Sequence, residues 1–476
     1  VQQYTYNGGL VTGETVTGSV PGSISWTFNN NLLVSSLGVN GTPIAYKYDR
    51  DGLLTNVGAL TVTRDMQNTT ITGTNLDQVT TTQSYNGFGE LQSLSAHSNN
   101  GLLYNVSYTR DKLGRITQKN ETVFESSSSQ EYSYDDYGNL REVRNNGSTE
   151  ISVTYDANGN RTGYQGPLGT VDANYDAQDR LVRYGNATYA YKGDGSLLSK
   201  SADGQTTQYD YDVFGNLRSV VLPEDNVIEY IIDGENRRVG KKVDGKLEQG
   251  FLYQDALNPV AELDGSGQVI SRFIYGTKSN VPDYLLKGGN TYRIIADHLG
   301  SPRLVVDVLS GEVVQRMDYD VFGNVTEDSN PGFQPFGFAG GLYDWATGLT
   351  RFGARDYDAR TGRWTAKDPI GFAAGDTNLY AYVGNDPVNR IDPSGLEDCV
   401  NCTSAQKREL GTLQKMTGEK EMSFGEKLMA WLEGLADSCG GYVMGDGARG
   451  ALERLRHQEM ARERLEKLKK EIRDNP

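Results

Sequence analysis

The chain has 476 residues, a formal net charge of -16 at pH 7 and 23% charged residues. This acidic balance argues against a general nucleic-acid binder, because contacts to phosphates are made by clusters of lysine and arginine. The 57 glycines and 29 tyrosines, against 13 prolines, favour short aromatic strands joined by glycine turns over helices or disorder. The composition therefore predicts an all-β protein, long enough to bury a large core.

The sequence predicts neither a membrane span nor a signal peptide. No run of about 18 apolar residues occurs. The first residues lack a basic start and an apolar stretch, and they already resemble the sequence that follows. Because there is also no initiator Met, we expect the chain to be the later part of a longer protein.

A tyrosine-led segment recurs along most of the chain. In the clearest copies the Tyr is followed by Asp or Asn, then by a Gly or Asn where the backbone must turn, and then by Leu or Val. From Tyr85 onward the copies recur roughly every 16 to 26 residues, an interval that marks a repeat architecture. Each copy predicts a β-hairpin, and many hairpins must lie side by side in one long sheet to bury their apolar faces. Clear copies begin at Tyr48, Tyr85, Tyr134, Tyr155, Tyr175 and Tyr211, and weaker ones at Tyr108, Tyr191, Tyr230, Tyr253 and Tyr275.

The recurring tyrosines are predicted to be structural. A tyrosine ring offers a large apolar area, and its hydroxyl still needs a hydrogen-bond partner, so such rings suit stacking along a sheet with their polar tips bonded to neighbouring turns. Carbohydrate binding by the aromatic rings is the alternative, and nothing in the spacing supports it.

These segments resemble the YD repeats of the Rhs family, which includes the C components of Tc toxins and, more distantly, teneurins. The resemblance covers about residues 46–396 and implies a continuous spiral sheet that forms a hollow shell, without exposed strand edges. From residue 292 the sequence resembles the start of an Rhs-associated core. We expect a YD-repeat β shell over 1–291, a core with an autoproteolytic plug over 292–396, and a small helical cargo over 397–476. His298, in the core, is expected to be a turn histidine bonded to backbone.

The resemblance also implies a self-cleavage site. In the family, self-cleavage depends on an Arg-Asp pair and a second Asp twelve positions further on, which here are Arg355, Asp356 and Asp368. Two adjacent carboxyls cannot both ionise easily, so one would hold a shared proton while the other takes a proton from water. Arg355 would either hold one carboxylate or neutralise the developing oxyanion. The chain is thus predicted to be a single-turnover aspartic autoprotease acting in cis.

The expected scissile bond follows an Asp-Pro-X-Gly-Leu signature. Asp392, Pro393 and Gly395 fit that signature, which places the cut between Leu396 and Glu397. The Pro and Gly would bend the chain so that it presents this bond. Asp, Gly and Pro are also ordinary turn residues, and each aspartate alone could be a turn cap. Four nearby aromatic residues are expected to pack the plug: Trp364, Phe372, Tyr380 and Tyr382.

The sequence changes in kind after Leu396. Tyrosine almost disappears, and Glu, Lys, Arg, Leu and Met recur at helical intervals over 404–417, 423–439 and 449–473. In Rhs proteins this position holds a variable cargo, commonly a toxin that is freed by the cut and kept inside the shell.

No cofactor is expected. The three cysteines, Cys399, Cys402 and Cys439, all lie in this tail and could form a Cys3His zinc site with His457. Only one cysteine pair has ligand spacing, so free thiols or a disulfide are the preferred interpretation.

Two functions compete. The preferred one is a self-cleaving shell that is made in the bacterial cytoplasm and delivers a C-terminal effector. Its expected partners are its own cargo, an upstream shell part or delivery subunit, and an immunity protein or chaperone for the cargo. The alternative is a surface adhesion protein whose repeats bind a carbohydrate or a receptor and whose tail is vestigial. The complete set of site residues favours the shell, because an adhesive fibre would not require it.

Overall fold

The computed structural model describes residues 1–374 and 376–396. The predicted helices and cysteines of residues 397–476 lie outside these described residues. Within them the chain forms β-strands and three short 3₁₀ helices, Phe338–Gly340, Gly371–Ala374 and Val383–Asn385. No helix in this part of the chain is long and apolar enough to cross a membrane.

Thirty-two strands form one sheet, in which each strand pairs antiparallel with the next strand in sequence. Side chains alternate between its two faces. In the strand Gly101–Arg110, for example, Tyr104, Val106 and Tyr108 are buried, whereas Asn105 and Ser107 are partly exposed. The strands are β1 Gln2–Asn7, β2 Leu10–Val16, β3 Gly22–Phe28, β4 Val34–Val39, β5 Thr42–Tyr48, β6 Leu54–Val57, β7 Leu60–Arg64, β8 Ile71–Leu76, β9 Val79–Tyr85, β10 Leu91–Ser98, β11 Gly101–Arg110, β12 Ile116–Val123, β13 Ser126–Tyr134, β14 Leu140–Asn145, β15 Ser148–Tyr155, β16 Arg161–Gly166, β17 Gly169–Tyr175, β18 Leu181–Tyr184, β19 Ala187–Tyr191, β20 Leu197–Ala202, β21 Gln205–Tyr211, β22 Leu217–Val221, β23 Val227–Ile232, β24 Arg238–Val243, β25 Lys246–Tyr253, β26 Pro259–Asp264, β27 Val269–Ile274, β28 Tyr284–Lys287, β29 Asn290–Ala296, β30 Pro302–Asp307, β31 Val313–Tyr319 and β32 Val325–Asp328.

The repeat Asp residues build the turns that follow the tyrosines. The Asp135 carboxylate accepts the backbone N–H groups of Tyr137 and Asn139, both at 2.9 Å, which closes the loop between β13 and β14. Such Asx bonds are the reason Asp and Asn favour turns. The same pair of bonds recurs at Asp49, Asn86, Asp111, Asp156, Asp176, Asp212, Asp233 and Asp320.

The tyrosine hydroxyls bond back to the preceding hairpin. Tyr175 at the end of β17 donates to the carbonyl of Arg161, the first residue of β16, at 2.9 Å. The acceptor is again the first residue of a return strand for Tyr48, Tyr85, Tyr134, Tyr253 and Tyr275. The predicted structural role is confirmed for these six tyrosines, since each of their hydroxyls ties one hairpin to its neighbour.

The sheet winds into a spiral that overlaps itself. Tyr4 in β1 donates to Glu235 after β23, and Tyr284 in β28 donates to the Val57 carbonyl at 3.2 Å. Apolar residues of β2 to β4 share a buried cluster with residues of β25 and β26. Because the first strands lie against strands that follow much later in the chain, the predicted spiral sheet is confirmed.

A separate four-stranded sheet follows the spiral. Its strands are β33 Leu342–Asp344, β34 Leu349–Phe352, β35 Arg355–Asp358 and β36 Arg363–Trp364. We call residues 329–396 the plug segment. The spiral sheet continues to Asp328, so the boundary expected between residues 291 and 292 falls within β29.

The plug segment contacts the spiral sheet at three of the turns between its strands. Asn389 accepts the N–H of Ile116 at 2.7 Å, Asn385 donates to the Gly159 carbonyl at 2.8 Å, and Tyr380 donates to the Gly195 carbonyl at 2.7 Å. These three contacts reach the turns after β11, β15 and β19. The plug segment is therefore fixed along one rim of the sheet.

Aromatic rings form the core of the plug segment. Trp364, Tyr380 and Tyr382 are each at most 1% exposed, as expected for packing residues. Phe372 is different. It lies in a 3₁₀ helix with no buried residue and is 72% exposed, so the packing role expected for Phe372 was wrong.

Candidate functional site

Arg355 is the centre of a buried cluster in the plug segment. It begins β35, and its side chain is 4% exposed with the guanidinium 4.2 Å from the centre of the Trp364 ring. Its Nη2 lies 2.7 Å from Asp368 Oδ2 and 3.3 Å from Asp392 Oδ2, and its Nε donates to the Gly395 carbonyl. One guanidinium thus joins two carboxylates and the backbone of the predicted cleavage signature.

Asp392 folds the signature back on itself. Its Oδ1 accepts the Ser394 hydroxyl at 2.9 Å and the Leu396 N–H at 3.1 Å. Burial raises the pKa of the Asp392 carboxyl above its usual range, while Arg355 and the Ser394 hydroxyl act in the opposite direction. This carboxyl therefore keeps a proton more readily than a free aspartate does, and it is bonded to Leu396, the last residue before the predicted cut.

Gly395 is required by the path of the backbone. Its φ is +68°, and a Cβ there would lie 2.4 Å from the Phe352 carbonyl oxygen and 2.8 Å from the Arg355 nitrogen. The N–H of Ala354 also donates to the Ser394 carbonyl at 2.8 Å. The signature is therefore pressed against the turn between β34 and β35, where a side chain would not fit.

Asp368 reaches Arg355 from the loop after β36. Its backbone N–H donates to the Leu379 carbonyl, and its Oδ1 accepts the N–H of Ile370, both at 3.0 Å. The side chain is 4% exposed. Asp368 is therefore a turn cap and an ion-pair partner at the same time.

Asp356 is bound by other residues. Neighbouring residues on a strand point to opposite faces, so Asp356 faces away from the side of β35 that carries Arg355. Both of its oxygens contact Arg238 Nη2, at 2.8 and 3.0 Å, and Oδ2 lies 3.0 Å from Arg351 Nη1. The structure thus brings Arg355 together with Asp368, Asp392 and the backbone of Gly395, while Asp356 joins the plug segment to the spiral sheet.

The remaining predicted residues divide into two groups. Pro393 follows Asp392 in the described turn, whereas Glu397 and the weak zinc candidates Cys399, Cys402, Cys439 and His457 lie outside the described residues. Among the residues that the structure describes, no group of three His, Cys, Asp or Glu side chains could hold a metal ion.

His298 bonds to backbone, as expected. Its Nε2 donates to the Val388 carbonyl at 2.7 Å, so Nδ1 accepts from the Tyr108 hydroxyl at 3.1 Å. Burial lowers the pKa of His298 to about 4, which keeps the ring neutral in this role. His298 therefore joins β11 to the plug segment.

Sequence reasoning missed Arg238 and Arg351. Arg238 comes from the spiral sheet, 118 residues before Asp356, and no spacing rule connects the two. The alternation of side chains along a strand does indicate from the sequence alone that Arg355 and Asp356 face opposite sides of β35.

A second plug carboxylate docks on the same sheet strands. Asp344 accepts the Tyr230 hydroxyl at 2.6 Å and lies 2.7 Å from Lys241 Nζ. Tyr230 and Lys241 belong to β23 and β24, the latter also carrying Arg238. Two ion pairs thus fix the plug sheet to β24.

Solved structures with a similar fold contain Tc toxin components. The Tc holotoxin pore of Photorhabdus luminescens matches with a TM-score of 0.68 and 16% identity, over 82% of this chain and 23% of that chain. The crystal structure of TcdB2-TccC3-TEV matches with a TM-score of 0.63 and 17% identity, over 81% and 23%. These likenesses support the spiral-sheet fold.

Sequence comparisons identify the family. Teneurin-3 of Danio rerio is 28% identical over 396 residues, which are 79% of this chain and 14% of that protein. The tRNA3(Ser)-specific nuclease WapA of Bacillus spizizenii is 28% identical over 274 residues, 54% of this chain and 12% of that protein. The chain therefore spans a small part of these relatives. The Teneurin YD-shell family model matches residues 1–388, and the chain belongs to this family.

Proposed function

We propose that this chain is a self-cleaving shell whose plug segment cuts the bond between Leu396 and Glu397 and frees residues 397–476 as a cargo. The observation that supports the proposal is the convergence of Arg355, Asp368 and Asp392, with contacts from Arg355 to Gly395 and from Asp392 to Leu396. Two buried carboxyls held by one arginine are the groups that acid–base hydrolysis of a peptide needs.

The geometry supports separate roles for the two carboxyls. Asp368, paired with Arg355, would accept a proton from a water molecule whose oxygen attacks the Leu396 carbonyl carbon. Asp392, with its raised pKa, would donate a proton to the departing amide nitrogen of Glu397. The products would be a Leu396 carboxylate and a free α-amine on the cargo.

Asp356 has a different part in this proposal from the one that the sequence predicted. A proton shared between Asp356 and Asp368 would require Asp356 to leave Arg238 and Arg351, which hold it at 2.8 to 3.0 Å. A buried carboxylate is costly without such partners. We infer that Asp356 is required because it fixes β35, and with it Arg355.

The relatives support the cargo half of the proposal. The nuclease named above matches 54% of this chain and carries an enzymatic activity in its name. Because the chain spans 23% of the similar Tc toxin chains, we include further shell or delivery subunits among its partners, together with an immunity protein or chaperone for the cargo. Delivery from a bacterial cell is part of the same proposal.

A denaturing gel of the purified chain tests the cut. The parent is expected to run as two fragments, and N-terminal sequencing of the small one should begin at Glu397. Asp368→Asn and Asp356→Asn should each run as one intact chain. Asp358→Asn, a change on the same strand outside the cluster, should be cut like the parent. Cutting that survives Asp368→Asn would refute the proposed site.

Production of the cargo in bacteria tests the effector. Residues 397–476 made alone should arrest growth if they are a toxin, whereas uncut Asp368→Asn full-length chain should be tolerated. Normal growth with the free cargo would remove the toxin from the proposal and leave the cut itself unaffected.

A further inference from the structure

The cleavage site is completed by the spiral sheet. The Asp356 side chain is fully buried, at 0% exposed, and its two oxygens are bound by Arg238 from β24 and Arg351 from β34. Arg351 belongs to the plug segment, but Arg238 does not. The plug segment by itself therefore supplies only one of the two cations that neutralise this carboxylate.

Two tyrosines of the spiral sheet contact Arg238. Its guanidinium lies 3.6 Å from the centre of the Tyr230 ring, and its carbonyl accepts the Tyr253 hydroxyl at 2.7 Å. A cation stacked on an aromatic ring in this way is pre-oriented, and less freedom is lost when it binds a carboxylate. Tyr230 thus orients the Arg238 guanidinium, and Tyr253, one of the tyrosines that join hairpins, fixes the Arg238 backbone.

Binding of Asp356 fixes the strand that carries Arg355. The Asp356 carbonyl accepts both the N–H and the hydroxyl of Thr365, each at 3.0 Å, which ties β35 to the chain after β36. Arg355 directly precedes Asp356 on β35, and its distances to Asp368 and Asp392 depend on the position of that strand.

We propose that Arg238 is a positioning residue for self-cleavage, supplied by the spiral sheet, so that the plug segment cuts only after it has docked on the finished sheet. The inference rests on the proposed self-cleavage. It gives the cut a built-in order: the sheet forms first, the plug segment docks, and the cargo is freed last.

Substitutions in the full-length chain test this order, with the fraction of cut chain followed over time after synthesis. Arg238→Gln should slow cleavage by about tenfold or more, because it leaves a buried charge-assisted bond unmade. Arg238→Lys keeps the charge and should restore part of the rate.

Two control substitutions separate positioning from simple loss of stability. Arg237→Gln removes the neighbouring arginine, which is equally buried and contacts Glu14, Asp233 and Glu235 instead of the plug segment. Asp344→Asn weakens the second docking ion pair without touching Asp356. Both leave the contacts of Asp356 with Arg238 and Arg351 in place, so both should be cut within about threefold of the parent rate. Hydrogen exchange of β33 to β36 reports whether the plug sheet is folded in each variant.

Each outcome decides the inference. A slow Arg238→Gln with protected plug strands, a partly restored Arg238→Lys and near-parent controls support it. Cleavage of Arg238→Gln at the parent rate overturns it, as does equal slowing of all the variants, which would make sheet stability the cause. If Arg238→Gln leaves the plug strands unprotected, Arg238→Lys decides: protected and slow supports the inference, and protected at the parent rate overturns it.

Parent and Asp368→Asn chains are run beside these variants. They distinguish a failure of the proposed self-cleavage from a failure of the proposed role of Arg238. An uncut parent contradicts the proposed function itself. A cut parent, an uncut Asp368→Asn and a fully cut Arg238→Gln contradict only the role of Arg238.

Discussion

Arg355 Nη2 and Asp392 Oδ2 lie 3.3 Å apart, although 37 residues of chain separate them. This contact joins the first residue of β35 to the first residue of the cleavage signature. Since the same guanidinium also binds Asp368 at 2.7 Å, the signature contributes one of the charged groups of the candidate site.

Asp392→Asn should slow self-cleavage by roughly 100-fold, because an amide cannot donate the proton that the departing nitrogen needs. The amide retains the size of the side chain and can still accept the Leu396 N–H. Ser394→Ala, which removes one hydrogen bond to the same carboxyl, should cost only a few-fold in rate, about 1 kcal/mol. Gel densitometry over time measures both rates, and an Asp392→Asn chain cut as fast as Ser394→Ala would exclude the acid role.

Gly395→Ala should abolish cleavage. The new Cβ would lie 2.4 Å from the Phe352 carbonyl oxygen, so the signature could not stay against the turn before β35. Gly384→Ala is the matched control, because Gly384 also lies in the plug segment at a positive φ of +59° but has nothing within 4 Å of its Cβ position. That change should cost about 1 kcal/mol of stability and leave the cut in place. Equal loss of cleavage in both variants would point to backbone strain as the cause.

His298 should make the stability of the uncut chain depend on pH. Its pKa is lowered to about 4 in the folded state, below the value of about 6.5 expected when unfolded, so the unfolded chain binds more protons between these values. Stability from the neutral ring is therefore complete above about pH 6.5 and is lost as the pH falls toward 4, by about 1 to 3 kcal/mol. Thermal unfolding of Asp368→Asn chains at pH 7 and pH 5 measures this loss. Adding His298→Gln should flatten the difference, and an unchanged difference would contradict the assignment.

Tyr175→Phe and Tyr155→Phe should differ in stability although both sites are half-buried tyrosines that end a strand. Tyr175 donates to the Arg161 carbonyl, so its loss should cost about 1 kcal/mol. The buried Tyr155 hydroxyl has no hydrogen-bond partner within the described part of the chain, so removing it should be neutral or slightly stabilising. Denaturant midpoints in the Asp368→Asn background compare the two, and equal losses would contradict the proposed role of the hairpin-to-hairpin bond.

The repeat predicts most of the fold because the interactions that form each hairpin join residues close together in the sequence. Asp135 and its counterparts close their turns with bonds to residues two and four positions later, and a strand that ends in Tyr must pair with the next strand. The overlap of β1 with the region after β23 is not determined by such local interactions. It depends on the accumulated twist of the strands between them, which no short segment encodes.

Most residues of the candidate site could be predicted from the sequence, but the contacts between them could not. The family resemblance pointed to Arg355, Asp356, Asp368 and the signature with Asp392, and the structure brings Arg355, Asp368 and Asp392 together. Their grouping depends on which face of β35 each side chain occupies and on Arg238, a residue of the distant sheet. Such a contact between separate elements exists only once the plug segment is in place.

The spiral fold delays the burial of its first strands while the chain is being synthesised. Tyr4 and Glu235 meet across 231 residues, and a ribosome adds that length in roughly 10 to 50 s. Single hairpins form in microseconds, so the early strands pair as soon as they have been synthesised. One apolar face of these strands then stays exposed to solvent. During that interval the nascent chain is open to aggregation or to a chaperone, until the strands from β23 onward emerge and cover it.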